Sequence, residues 1–251
     1  MSLGEHLVEL RNRLIIIAIA IAVGGVIGWF ISEWVWAGLE IPVHQIAVAQ
    51  QRNAQIVFPT VTGGFDLRLQ LAVYTGIIVS SPIWLYEIFA YFVPALTRSE
   101  RRYVFSFFFT AVPLFLAGCV VGWLALPHMV AAFTSFVPND SASYLDASYY
   151  FQFVIKLMIA IGIAFVIPVF MTLLNFLGIL SAKAIIRNWR IAVIVILMFT
   201  AIATPAADIV SMVLLAVPMV VLYFASWLIA LVHDRRVAKK QAVVDAEIAA
   251  L

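Results

Sequence analysis

The chain of 251 residues is 65% hydrophobic and only 11% charged, and its mean hydropathy of +1.09 is far above that of water-soluble domains. The formal net charge is +2, and no run of Lys and Arg alternates with aromatic residues, which argues against nucleic acid as a partner. The composition therefore predicts an all-α polytopic protein of the lipid bilayer and excludes a soluble globular domain.

The N-terminal segment SLGEHLVELRNRL predicts an amphipathic helix at the membrane surface. Ser2 and Glu5 have the S-x-x-E spacing of a capping box. Glu5, Glu9 and Arg13 follow one another at i, i+4 and share one helix face, whereas Arg11 points elsewhere. We expect this helix to hold its carboxylates where the membrane meets water.

Six apolar stretches are predicted to be transmembrane helices within one transmembrane domain. They are Leu14–Ile31, Leu67–Phe92, Tyr103–Leu126, Tyr149–Leu177, Ile191–Thr204 and Ala207–Val232. Two long connections separate them, Ser32–Asp66 and Pro127–Ser148, and residues 233–251 form a tail that begins with the basic segment HDRRVAKK. Prolines within the spans are expected to bend their helices into curved walls: Pro82, Pro113, Pro168 and Pro218.

The fifth span is shorter than a membrane of ordinary thickness requires. As a helix its apolar residues reach roughly 21 Å, against a hydrocarbon core of about 30 Å. Pro205 ends the span, and Asp208 follows in the turn that starts the sixth span. A locally thinned bilayer is one route by which such a protein would help a bulky polar substrate to cross.

Basic residues determine the predicted orientation, because short cytoplasmic loops retain Lys and Arg. If the six spans alternate, twelve of the 15 basic residues fall on one side. Only Arg52, Arg68 and Lys156 fall on the other side. Both termini, including residues 1–13 and the tail, are therefore expected in the cytoplasm.

Glu9 is the strongest candidate for a binding residue. It either pairs with Arg13 one turn later, which is worth only about 0.3–0.5 kcal/mol at a surface, or receives a ligand guanidinium bidentately. Glu100 is predicted on the same cytoplasmic side. It either binds a ligand or forms the T-x-x-E capping box with Thr97 at the start of a helix. Two carboxylates at the membrane edge would suit a ligand with two adjacent positive charges.

Three further charged residues lie within or beside the apolar spans. An acid deep in hydrocarbon costs about 2.5–3.5 kcal/mol, so Glu87 is either a functional group or an interfacial carboxylate that reaches Arg101 or Arg102. Lys156 is expected to snorkel to the outer interface. Asp208 either caps the sixth helix or acts at membrane depth.

Motifs of catalysis are missing from the sequence. It contains no HExxH, GxSxG or GxxxxGK[ST] segment. The histidines are scattered without metal-ligand spacing, at His6, His44, His128 and His233. No enzymatic activity, cofactor or metal is therefore expected, and Cys119, inside an apolar run, is expected to be a buried hydrophobic residue.

Five motifs, in this order, resemble the TatC family, the multispanning receptor subunits of the twin-arginine protein translocase. They are HLVELRNRL (His6–Leu14), SPIWLYEIFAYFVPAL (Ser81–Leu96), SERR (Ser99–Arg102), FVIPV (Phe165–Val169) and TPAAD (Thr204–Asp208). Combined with six spans and a short fifth one, the chain is similar to this family over nearly its whole length.

The resemblance implies a receptor in the bacterial cytoplasmic membrane that binds folded preproteins through a signal peptide with consecutive arginines. It implies single-span TatA and TatB subunits and further copies of the chain as partners, the proton gradient as energy source, and helices that form a concave wall. By resemblance Glu9 and Glu100 receive the two arginines, and Arg11 supports the N-terminal element. Pro42, in the first outward loop, and Asp208 occupy positions important for transport.

The chain departs from the family pattern in its fourth span. Many members carry an acid between the Phe and the Pro of that motif, where Val166 and Ile167 stand here. We expect Glu87 or Lys156 to take over part of that role.

A function of another class is a proton-coupled permease for a small solute. Its relay would consist of Glu87, Lys156 and Asp208. The sequence has neither an inverted repeat nor paired broken helices, which transporters of this kind use at the bilayer midplane. The pattern therefore favours the receptor.

Overall fold

The computed structural model describes residues 3–49, 54–58, 60–91, 98–135, 143–203 and 209–249. Within these ranges the chain forms eight helices and two short strands, so the helical membrane class inferred from composition is confirmed. The helices are α1 (Leu3–Ala49), α2 (Gly63–Val79), α3 (Ser81–Tyr91), α4 (Arg98–Ser135), α5 (Ala147–Phe176), α6 (Ala182–Arg187), α7 (Trp189–Ala203) and α8 (Ile209–Ala249). The strands are β1 (Ala54–Val57) and β2 (Ser143–Asp146).

Four of the described helices are long and apolar enough to cross a membrane. The qualifying stretches are Gly4–Ile41, Phe107–His128, Tyr149–Phe176 and Met212–Val243. Helices α2 and α3 together make a fifth, bent by 53°. Helix α7 has only 15 residues and reaches about 22 Å, which confirms that the fifth predicted span is short.

Helix α1 is much longer than the first predicted span. It joins the N-terminal helix to that span without a break and continues into the predicted connection Ser32–Asp66. Pro42, expected in an outward loop, therefore lies inside a helix. The extension is anchored on α5, where the hydroxyl of Tyr150 donates to the carbonyl of Leu39 at 3.2 Å.

The two long connections meet in a short parallel ladder that sequence reasoning did not predict. Strand β1 pairs with β2 from Ala54 opposite Ser143 to Val57 opposite Asp146. In this pairing, backbone N–H and C=O groups outside the helices bind one another. In an isolated connection these groups would hydrogen-bond to water instead. The ladder ties the end of α1 to the start of α5.

A proline marks the bend in the second predicted span. Pro82 is the second residue of α3, close after the break at Ser80. The first turn of a helix tolerates proline because its N–H groups have no partner within the helix. The indole Nε1 of Trp84 donates to the carbonyl of Ile77 at 2.8 Å and so satisfies an acceptor at the end of α2. The other three prolines of the predicted spans lie inside continuous helices: Pro113, Pro168 and Pro218.

Glycines let two pairs of helices pack backbone to backbone. A Cβ atom placed on Gly24 of α1 would lie 2.6 Å from the carbonyl oxygen of Gly76 in α2, and one on Gly28 would also collide with α2. Between α4 and α5, a Cβ on Gly118 would lie 2.8 Å from the Cα of Gly162. Such small-residue contacts are how helices associate where lipid removes the hydrophobic driving force.

Three apolar clusters hold the described helices together. The first joins α1, α2, α4, α5 and α8 and contains Leu67, Phe151 and Leu215. The second joins α3, α4 and α5 around Phe89 and Phe115, and the third joins α6 and α8 around Ile185 and Tyr223. Many large apolar side chains still face outward, as expected for helices in lipid: Phe30, Phe109, Ile202 and Ile209 are examples.

Candidate functional site

The first turns of α1 present acidic side chains on one face. Glu5, Glu9 and Arg13 line the same open cleft, as their i, i+4 spacing predicted. Arg11 does not line it; the side chain is exposed and its Nη2 donates to the Oδ1 of Asn12 at 3.2 Å. The helix thus directs Glu5, Glu9 and Arg13 into the cleft and Arg11 away from it.

Glu87 closes the cleft from α3. Its side chain is only 11% exposed, and its Oε2 accepts a hydrogen bond from Nη1 of Arg13 at 2.8 Å. The expected partners were Arg101 and Arg102, whose side chains lie outside the described residues. An acid on an otherwise apolar helix is tolerated here because a guanidinium compensates its charge.

Arg13 bridges the two carboxylates. Its Nε and Nη2 donate to Oε1 of Glu9 at 3.1 and 2.7 Å, and Nη1 serves Glu87. The planar guanidinium thus uses both of its edges, a geometry that lysine cannot reproduce. The prediction that Glu9 pairs with Arg13 one helical turn later is confirmed. The structure shows in addition that Arg13 connects α1 to α3 through Glu87.

One carboxylate oxygen in this cluster has no donor. Oε2 of Glu9 is buried and accepts no hydrogen bond from any described residue. The ionisable residues that line the cleft are Glu5, Glu9, Glu87 and Arg13. A buried, unpaired acceptor is costly, so the cleft favours an additional cation that carries N–H donors.

Aromatic contacts fix the walls of the cleft, whose volume is about 910 Å³. His6 of α1 stacks on Tyr91 at the end of α3, with ring centroids 4.6 Å apart. Tyr86, which lines the cleft, packs edge-to-face on Phe108 of α4 at 5.7 Å. The carboxylates are therefore carried by α1 and α3, and α4 packs against the α3 wall.

Glu100 is the third residue of α4, and its side chain lies outside the described residues, as does its expected capping partner Thr97. Phe108, eight residues further along the helix, touches Tyr86 in the cleft wall. At 1.5 Å per residue the backbone of Glu100 is about 12 Å along α4 from that contact. The structure thus brings the start of α4 to the neighbourhood of the cleft.

The remaining predicted site residues lie elsewhere. Lys156 is exposed on α5, and its Nζ donates to Oε1 of Gln152 at 3.2 Å, in the direction expected of a snorkelling lysine. Asp208 falls between α7 and α8, outside the described residues, and of Pro42 only the backbone is described. The structure does not bring Lys156 into the cleft with Glu87.

The fourth-span motif presents an apolar surface. Val166 is 5% exposed and belongs to the cluster around Phe115. Ile167 is 53% exposed and lines an apolar groove beside α7. The transfer of an acidic role from this motif to Glu87 or Lys156 stays a prediction.

Sequence reasoning missed part of the cleft. Tyr86 and Asn12 were not singled out, and Arg13 was treated only as a local partner of Glu9. The helical periodicity of α1 could have identified Asn12, because residues spaced three and four apart share one helix face. The residues of α1 that line the cleft follow this spacing: Glu5, Val8, Glu9, Asn12, Arg13 and Ile16.

Comparison with known proteins gives consistent matches. The sequence model of the family described as Sec-independent protein translocase protein (TatC) matches residues 5–218. The protein of that name from Xylanimonas cellulosilytica is 40% identical over 242 residues, which cover 96% of this chain and 88% of the relative. The chloroplast protein of Arabidopsis thaliana is 32% identical over 234 residues, with 92% and 67% coverage.

Solved structures agree with these sequence matches. A crystal structure of the twin-arginine translocase receptor TatC superposes with a TM-score of 0.73 at 26% identity and covers 90% of this chain and 98% of that one. The same receptor crystallised in DDM gives a TM-score of 0.77 at 27% identity, with 90% and 99% coverage.

Proposed function

Because the chain belongs to the TatC family of Sec-independent protein translocase proteins, we propose that it is the receptor for twin-arginine signal peptides and the core subunit of a translocase for folded proteins. Its partners in this proposal are TatA- and TatB-type single-span subunits, further copies of the chain and the surrounding lipid. Transport draws on the proton motive force.

The bridging guanidinium of Arg13 carries this proposal. The cleft already holds one guanidinium between Glu9 and Glu87, so its geometry suits the group that a signal peptide would present. The unpaired Oε2 of Glu9, which lines the same cleft, supports the entry of a second guanidinium.

The second peptide arginine is assigned to Glu100. Adjacent side chains of an extended peptide point to opposite sides, so two neighbouring arginines need acceptors on two different walls. Glu9 on α1 and Glu100 at the start of α4 would provide them. Arg11 supports the N-terminal element from outside the cleft.

The proposed topology has six spans, with α7 as the short fifth, and both termini in the cytoplasm of a bacterium. The clustering of Lys and Arg at one end of the spans supports it. Residues 1–251 then form one transmembrane domain in the inner membrane, with residues 233–251 as a cytoplasmic tail and the spans arranged as a concave wall. The cleft at the start of α1 would face the compartment in which signal peptides are made.

Three residues outside the cleft are assigned to transport rather than to peptide binding. Pro42 follows Leu39, whose carbonyl anchors the α1 extension to α5, so it belongs to the element that connects the outer ends of these helices. Lys156 lies on the same α5. Asp208 begins the sixth span beside the short α7.

Peptide binding tests this assignment. Glu9→Gln and Glu100→Gln should each weaken binding of a fluorescent twin-arginine peptide to the full chain in nanodiscs by about tenfold or more, because each removes a charge-assisted hydrogen bond worth about 1.5–3 kcal/mol. Fluorescence anisotropy measures the affinity, and gel filtration with circular dichroism verifies the fold of each variant.

Glu33→Gln is the matched control. Glu33 also lies on α1 but pairs with Arg68 at 3.1 Å, away from the cleft, so binding should stay within about twofold of wild type. A folded double variant of Glu9 and Glu100 that binds the peptide as tightly as wild type would overturn the site.

A further inference from the structure

A second groove lies where α8 passes the end of α5. Its volume is about 880 Å³, and Phe176, the last residue of α5, forms part of one wall. The α8 wall consists of Leu228, Ile229, Val232, His233, Arg236, Val237, Lys239 and Lys240. No part of the acidic cleft contributes to this lining.

The α8 wall changes from apolar to basic along a single helix face. Ile229, Val232, Arg236 and Lys239 are separated by three, four and three residues, which places them above one another. The apolar part is accessible, since Ile229 is 51% and Val232 is 42% exposed. Arg235, next in sequence to Arg236, does not line the groove.

Side-chain contacts fix the geometry of this groove. His233 of α8 stacks on Phe176 with ring centroids 4.0 Å apart. Asp234 accepts hydrogen bonds from Nδ2 of Asn175 and from the backbone N–H of Ala182, both at 2.8 Å. Both carboxylate oxygens of Asp234 are thus hydrogen-bonded within the protein, and these bonds tie α8 to α5 and α6.

We propose that this groove binds one anionic phospholipid, with an acyl chain along Ile229 and Val232 and the phosphate at Arg236, Lys239 and Lys240. Apolar and cationic surfaces in sequence along one face are complementary to a molecule with an acyl tail and an anionic headgroup. A free phosphate would leave the apolar half uncovered, and a neutral lipid would leave the cations unpaired. With the proposed topology this lipid belongs to the inner leaflet. Lipid binding itself does not depend on that topology.

Native mass spectrometry of the full chain in detergent tests the lipid site. Titration with phosphatidylglycerol should give at least about tenfold tighter binding than phosphatidylcholine with the same acyl chains. Arg236→Gln should weaken phosphatidylglycerol binding by about fivefold, as expected for one cation near a phosphate. Replacing Arg236, Lys239 and Lys240 together by Gln should abolish the preference over phosphatidylcholine.

Arg235→Gln is the matched control, because it removes the same charge from the same helix turn outside the groove; affinity should change less than twofold. If Arg235→Gln and Arg236→Gln weaken lipid binding equally, the effect comes from the overall surface charge, and the proposal is overturned. Tight binding of soluble glycerol 3-phosphate would overturn it in favour of a phosphate site. Equal affinity for phosphatidylcholine would also contradict it.

Discussion

Arg13 joins two acids that lie far apart in the chain. Glu9 is one helical turn away, whereas Glu87 is separated from it by 74 positions. Because the side chain of Glu87 is only 11% exposed, loss of Arg13 would leave a buried acceptor without its donor. The same guanidinium therefore stabilises the contact between α1 and α3 and shapes the acidic cleft.

A double-mutant cycle measures this link. Arg13→Gln leaves Glu87 buried without its cation, and Glu87→Gln removes the negative charge that the guanidinium compensates, so the double variant should lose less stability than the two single losses combined. We expect a coupling free energy of about 1–2 kcal/mol, determined from SDS-induced unfolding followed by circular dichroism.

The exposed pair of Gln152 and Lys156 provides the control cycle, with the same measurement. It is an i, i+4 hydrogen bond at the surface, so a coupling below about 0.5 kcal/mol is expected. Additive losses for Arg13 and Glu87 would mean that their 2.8 Å contact does not persist in the protein.

At the scale of whole elements, the closest contact between α1 and α2 is made by their backbones. Gly28 sits against the carbonyl of Ala72; Gly24, one turn earlier in α1, sits against Gly76, one turn later in α2. Close approach of this kind gains dispersion contacts between backbones. It leaves no room for a side chain at these two positions of α1.

Gly28→Val should therefore destabilise the protein, because its Cβ would collide with α2 and push the helices apart. Overpacking of this kind costs about 1–3 kcal/mol, measured as a lower midpoint of SDS-induced unfolding. Gly38→Val is the matched control on the same helix, since a Cβ there meets nothing within 4 Å. Similar losses at both positions would show that helix propensity, not packing, is responsible.

For the molecule as a whole, the topology predicts which surfaces a membrane-impermeant maleimide reaches from outside. In right-side-out vesicles Phe65→Cys, near the start of α2 and 61% exposed, should be labelled. Leu7→Cys and Lys240→Cys should be labelled only after the membrane is opened, because the proposed topology places the basic ends of the spans inside.

The chain offers an internal reference for this experiment. Cys119 is only 4% exposed, so the wild-type protein should remain unlabelled on both sides. Labelling of Leu7→Cys and Lys240→Cys from opposite sides would contradict an even number of spans.

Local patterns were sufficient for much of this protein. The apolar runs determined the helical membrane class, and the short run of α7 was visible as a shortage of residues. The i, i+4 row of Glu5, Glu9 and Arg13 identified one face of the acidic cleft before any contact was known. Periodicity and hydropathy are properties of neighbouring residues, so the sequence alone carries them.

Contacts between distant segments were decided only by the tertiary structure. The pairing of Arg13 with Glu87 depends on how α3 turns after Ser80, and the continuation of α1 past Leu39 depends on packing against Tyr150 of α5. The ladder between β1 and β2 likewise needs two connections to meet. The spacing of neighbouring residues predicts none of these three contacts. Each depends on the balance of burial, charge and backbone hydrogen bonding in the assembled bundle.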